Sequence, residues 1–202
     1  MLVIKHKRTL KHKRFVLGTS ALVLLTGGLY VLSLVAAPVV APILTMKPID
    51  VKTLPSPEQS GNRVIIPKIG VNIAYDKGEA SLDRGAEWRA PGSGNPADGG
   101  NFVIAAHRFS IQPTPLATIE KSPFYHINRV GSGDKIVVDY NGKRYGYEVQ
   151  KTYTVKPTQV EIEARTDDPI LTLYSCGLEG AEGDRVVVEA KRLGEVALET
   201  TN

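Results

Sequence analysis

The chain holds one cysteine, Cys176, in 202 residues, so no disulfide can form within it and no cysteine pair can hold zinc. His107 and His126 are not at metal-ligand spacing, and His6 and His12 lie far away near the N-terminus. No acidic residue occurs in positions 1–14, which carry Lys5, Lys7, Arg8, Lys11, Lys13 and Arg14. No charged residue of either sign occurs from Phe15 to Ala37. The formal charge of +4 therefore misleads: without those six N-terminal positives, 19 basic residues face 21 acidic ones. No basic stripe remains to engage nucleic acid. Internal repeats are absent, and the only biased stretch is a proline-dense segment after the apolar run.

The 23 uncharged residues from Phe15 to Ala37 match the roughly 20 that cross a bilayer as a helix. A cleavable signal sequence has a shorter apolar core, about 7–15 residues, and a soluble core helix is not apolar on every face. The run is therefore predicted to be a retained transmembrane anchor, 15–37. Basic flanks stay in the cytoplasm. This gives a cytoplasmic arm, 1–14, and places everything after the anchor outside: a single-pass protein of the cell membrane.

Pro38, Pro42, Pro48, Pro55 and Pro57 crowd the next segment. Proline removes backbone donors and breaks helices, so residues 38–62 are predicted to be an extended stalk. A domain of about 130 residues, 63–193, is of ordinary single-domain size, and 194–202 reads as a loose tail. Within the domain the patterns are strand-like: Val64–Pro67, Val71–Tyr75, Asn101–Ala106, Lys135–Tyr140, Lys143–Thr154, Ile170–Ser175 and Arg185–Lys191. Asn141-Gly142 is a strong hairpin-turn signal. Short helices are predicted only at Glu79–Arg84 and Ser122–Val130. The fold class is all-β, a barrel or sandwich with one or two short helices. The segment 80–95 could fold over a site, and Trp88 reads as packing at a rim.

Three residues sit where strands meet loops: His107 after Asn101–Ala106, Cys176 after Leu171–Ser175, and Arg185 at the start of Arg185–Ala190. A thiol has few thiolates near neutrality until a nearby imidazolium favours them. The same imidazole can return its proton to a departing amine. A guanidinium stays charged and can donate hydrogen bonds to an oxygen that develops negative charge. A lone cysteine outside the cytoplasm could instead be buried and inert. That alternative gives a non-enzymatic binding module with a structural cysteine.

In this order along the chain, several segments resemble the sortases, cysteine transpeptidases of bacterial cell surfaces. They are Ile66-Pro67-Lys68-Ile69-Gly70-Val71, Gly100–Arg108, Gly133–Val138, Thr172-Leu173-Tyr174-Ser175-Cys176 and Arg185–Val188. The resemblance covers about 63–193 and implies a closed β-barrel of about eight strands. It implies Cys176 as nucleophile, His107 as general acid/base and Arg185 as stabiliser of the substrate or oxyanion. The implied partners are surface proteins with a C-terminal sorting signal of the Leu-Pro-x-Thr-Gly kind. An amine acceptor, a peptidoglycan precursor or a pilin lysine, would take the acyl group. Ser175 departs from the family's usual Thr, which puts details of the pocket in question. Other thiol enzymes fit poorly: Cys176 follows His107 in sequence and ends a strand, the reverse of a papain-like arrangement. Some relatives bind calcium through loop acids, but Glu161, Glu163, Asp167 and Asp168 read as a solvated loop. No cofactor is expected.

Overall fold

The computed structural model describes residues 4–44 and 48–196. Helix α1 is Ile4–Leu44, and nine strands follow: β1 Arg63–Ile66, β2 Val71–Lys77, β3 Ala86–Trp88, β4 Gly94–Asn95, β5 Gly99–Ala106, β6 Lys135–Tyr140, β7 Lys143–Val155, β8 Ile170–Gly177 and β9 Gly180–Glu195. A short helix α2, Pro115–Glu120, lies between β5 and β6. The strand order is β3-β2-β1-β6-β7-β9-β8-β5-β4, and an added β3–β5 pairing closes eight strands into a barrel, with β4 as a small hairpin partner of β5. This is the closed eight-stranded barrel with few helices that the resemblance implies, preceded by the expected apolar N-terminal helix.

Alternation decides the interior. Phe102, Ile104 and Ala106 of β5, Leu171 and Leu173 of β8, and Val186, Val188 and Ala190 of β9 all enter one core. The intervening residues face outward, as a period of two requires. The Asn141-Gly142 turn joins β6 and β7 with φ of 49° and 75° at its two central residues, the positive values a tight hairpin needs. Gly100, the second residue of β5, has φ 77°, and a Cβ there would lie 2.4 Å from the Ser93 carbonyl oxygen. Only glycine fits that approach.

Several expectations need correction. The two shortest strands, β3 and β4, were not foreseen. The segment 80–95 does not cover a site, because β3 lies in the barrel wall. Trp88 is a core residue, 6% exposed, packed edge-on against Phe102 and Tyr140. The Ser122–Val130 stretch has only a 3-10 turn at Ile127–Arg129. The α-helix stands earlier, where Thr114 accepts from the Ala117 N–H and Pro115 fills the first turn. That start signal is present in the sequence. β9 runs to Glu195, past the expected domain end, and 197–202 lie outside the described residues.

The largest correction concerns the stalk. α1 continues through Pro38 and Pro42 to Leu44, so the arm, the anchor and the first prolines form one helix. Pro42 has no N–H to give the Pro38 carbonyl, its normal helical acceptor. His126 Nε2 meets that oxygen at 2.9 Å. A donor from another element thus satisfies the carbonyl that proline orphans, which is how such helices persist. Leu34 and Pro38 are buried there, and Tyr30 donates to the Pro113 carbonyl. Beyond the helix, 48–62 also stays on the barrel: Ile49 N–H bonds Pro67 O at 3.2 Å, and Arg144 bonds Pro55 O at 2.9 Å. The segment is a strap along the domain.

Burial, and then the positive Arg129 and Arg108, hold His126 below the ordinary histidine range. A depressed folded-state value means that the neutral form is favoured on folding. The stability contribution is full above about pH 6.5, the unfolded value, and is lost as pH falls below it. Unfolding of the full chain, followed from pH 8 to pH 5, should show this loss. His126→Phe should flatten that part of the profile.

Candidate active site

β8 lies between β9 and β5, and the register sets the site. Cys176 is paired directly with Arg185 across the antiparallel β8–β9 ladder. On the other side β5 runs parallel to β8, with Ala105 level with Tyr174. The printed pairing ends there, and His107 follows two residues on, just past the end of β5. Alternation puts Cys176 and Arg185 on the outer face, because the core takes Leu173 and Val186, and His107 follows the core residue Ala106. Cys176 and Arg185 are thus neighbours on the outer surface, and His107 leaves β5 beside β8 at the same end of the barrel. Each is half-buried.

Cys176 is a free thiol outside the hydrophobic core. The His107 carbonyl accepts from Phe124 N–H at 3.0 Å, which ties the residue after β5 to the α2–β6 connection. Arg185 Nη1 donates to the Gly183 carbonyl, two residues earlier on β9, at 2.7 Å. The neighbouring Asp184 is paired with Lys156 at 2.9 Å. A thiol flanked by an imidazole and a guanidinium can be deprotonated, can attack a carbonyl carbon, and has a cation beside the oxygen that gains charge.

The residues match the Sortase domain model over 64–193.

The chain belongs to the sortase family.

Sortase A of Listeria monocytogenes is 27% identical over 113 residues, 56% of this chain and 47% of that protein. The match thus spans about half of the curated relative's length. Among solved structures, the Clostridium perfringens sortase D5 transpeptidase is 26% identical, covering 66% of this chain and 79% of that one, with a TM-score of 0.54. Sortase C1 of Streptococcus agalactiae, solved in complex with MTSET, superposes at a TM-score of 0.58 with 22% identity, over 82% of this chain and 89% of that one. At that identity the second likeness speaks for the fold alone.

In this sortase Ser175 faces the barrel interior. It is 2% exposed, and its Oγ has no hydrogen-bond partner among the described residues. The departure from threonine therefore bears on packing behind the nucleophile and not on an outer pocket. Sequence reasoning also missed neighbours of these residues. Arg108 lines a cleft with Thr154, Glu179 and Asp184 and brings a second guanidinium to this end of the barrel. Glu163, expected in a solvated loop, accepts from Tyr174 OH at 2.5 Å and Arg89 Nε at 3.3 Å. Among the described residues no three side chains of His, Cys, Asp or Glu converge as a metal site.

Proposed function

We propose that this sortase is a membrane-anchored cysteine transpeptidase. The observation that carries the reading is the direct pairing of Cys176 with Arg185 across β8 and β9, with His107 leaving the adjacent β5 at the same end. The Cys176 thiolate attacks the carbonyl carbon of the threonine in a Leu-Pro-x-Thr-Gly-like sorting signal. A C–S bond forms, and Arg185 donates hydrogen bonds to the oxygen as it gains charge. The Thr–Gly C–N bond then breaks, and His107 gives its proton to the departing amine. An acceptor amine attacks the thioester, loses a proton to His107 and releases the thiolate. Splitting the reaction in two favours transfer over net hydrolysis when the amine outcompetes water.

The helix supports the placement. The span 12–40 is long and apolar enough to cross a membrane, and Phe15, Leu17, Leu22–Leu25 and Leu29–Leu32 leave large side chains uncovered. With the basic arm inside, the barrel lies outside, beside surface proteins that carry C-terminal sorting signals. The acceptor would be a peptidoglycan precursor or a pilin lysine. We also propose that no metal is used. Arg89 lies between Glu87, at 3.2 Å, and Glu163, at 3.3 Å, where it supplies the positive charge that two carboxylates require.

The full chain in detergent, incubated with Leu-Pro-x-Thr-Gly and Leu-Ala-x-Thr-Gly peptides with and without an amine, tests the reading by mass spectrometry. An acyl adduct on Cys176, and an amide product that grows with amine and is indifferent to EDTA, is the expected result. No adduct with any peptide, while Cys176 still alkylates, would reject this substrate class. Loss of the product in EDTA would reject the metal-free reading.

A further inference from the structure

The apolar helix does not end where the barrel begins. Leu34 and Pro38, one turn apart on α1, are buried, and α1 packs along α2. Tyr30, a turn earlier on the same face, donates to the Pro113 carbonyl. The barrel is therefore seated on the last turns of the uncharged run 15–37, and its contact reaches inside that run. Depth follows from helix geometry. Arg14 is the last charge before the run, and Tyr30 stands 16 residues beyond it, about 24 Å along the axis. With Arg14 at the inner boundary of a core about 30 Å thick, Tyr30 lies about 6 Å short of the outer boundary, and tilt takes it deeper. Raising the barrel clear of the lipid would draw Arg14 into hydrocarbon, where a positive charge is costly. The loop that Tyr30 holds is thus level with the outer leaflet.

That loop suits the level. From Phe109 to Ile119, through α2, it carries no charged residue. Ile111 and Leu116 are 56% and 65% exposed. Its polar groups find partners within the segment and its edge. Gln112 N–H donates to Thr118 Oγ1 and Ser110 N–H to Ser122 Oγ, both at 3.0 Å. Gln112 Nε2 donates to Ser110 Oγ, and Thr114 caps α2. Backbone that enters lipid needs such internal partners. The segment is also tied to the anchor: Phe109 packs edge-on against Tyr125, Tyr125 against His126, and His126 holds the Pro38 carbonyl of α1.

Resting on the reading of α1 as a membrane anchor, we propose that 109–119 is a second membrane-binding surface, on which Ile111 and Leu116 enter the acyl-chain boundary of the outer leaflet beside α1. The partner is the lipid surface itself. Apolar side chains that leave water for that boundary supply the attraction, and Tyr30 sits at the depth where tyrosine collects in membranes. The segment follows His107 directly. The end of the barrel that carries Cys176 is therefore the end nearer the bilayer, held at a fixed height, and the Asn141-Gly142 hairpin is the far end.

Spin labelling of the full chain tests this. In a Cys176→Ala background, single cysteines enter by Ile111→Cys and Leu116→Cys on the loop, Leu24→Cys within the anchor, and Lys143→Cys at the far hairpin. All four native side chains are exposed, so the substitutions leave the packing intact. The labelled chains are reconstituted in vesicles of phosphatidylcholine and phosphatidylglycerol. Collision with oxygen, which concentrates in lipid, is compared with collision with a neutral, water-soluble nickel chelate. The two loop labels should shift from the water-like ratio of the hairpin label toward the lipid-like ratio of the anchor label. Water-like loop labels beside a lipid-like anchor label would overturn the second surface and leave the anchor standing. Low collision of the loop labels with both reagents would mean that protein covers the segment, and would overturn it as well. A water-like anchor label rejects the membrane anchor and the second surface together.

Discussion

Cys176→Ala is expected to abolish both the acyl adduct and the amide product, because the alanine side chain carries no atom that can form the covalent intermediate. The protein should remain folded, since Cys176 lies half-buried on the outer face and contributes nothing to the core cluster. Arg185→Ala should leave the thiol in place and lower kcat/KM by about 10²–10³, the usual loss for one oxyanion donor, about 2.7–4 kcal/mol. Arg185→Lys should recover only part of that loss, because a point charge does not reproduce the fork of a guanidinium. Full product formation by the Cys176→Ala chain would remove the nucleophile assignment. An Arg185→Ala chain with wild-type kcat/KM would reduce the arginine to its Gly183 contact. The two changes separate covalent chemistry from electrostatic stabilisation, which the three side chains combine.

The pairing of Cys176 with Arg185 was legible because both adjoin apolar strand patterns. Leu171-Thr172-Leu173 and Val186-Val187-Val188 are β-branched or aliphatic runs with fixed alternation, and their antiparallel register sets Cys176 against Arg185. The Asn141-Gly142 hairpin was legible for a local reason as well, the positive φ that both central positions require. β3 and β4 were not, since three and two residues are too few for a period to show. Neither was the contact of Arg89 with Glu163. Arg89 and Glu163 are 74 residues apart, and barrel closure alone brings them together. The helix through Pro38 and Pro42 defeated a sound local rule, because the compensating donor, His126, lies 88 residues away. In the last two misses the deciding partner was tertiary.

The second large effect lies away from the site, at Arg144. Asp139 and Arg144 face each other across β6 and β7 with side chains 5% and 3% exposed. Their contact is bidentate, with Nε to Oδ1 at 2.7 Å and Nη2 to Oδ2 at 2.8 Å. The same Nη2 reaches the Pro55 carbonyl, so one side chain closes the hairpin and fixes the strap. Arg144→Ala would strand a buried carboxylate, at a cost of about 3–5 kcal/mol, and lower the midpoint of thermal unfolding by about 10–20 °C. Trp88, the only tryptophan, sits in the core against Tyr140 at the end of β6, so its fluorescence follows this transition directly. Removing both charges, Asp139→Leu with Arg144→Met, should restore most of the loss, because much of the cost belongs to the unpaired charge and not to the missing attraction. A single variant within about 1 kcal/mol of wild type would mean that water reaches Asp139. A double variant as unstable as the single would instead assign the effect to the strap contact with Pro55.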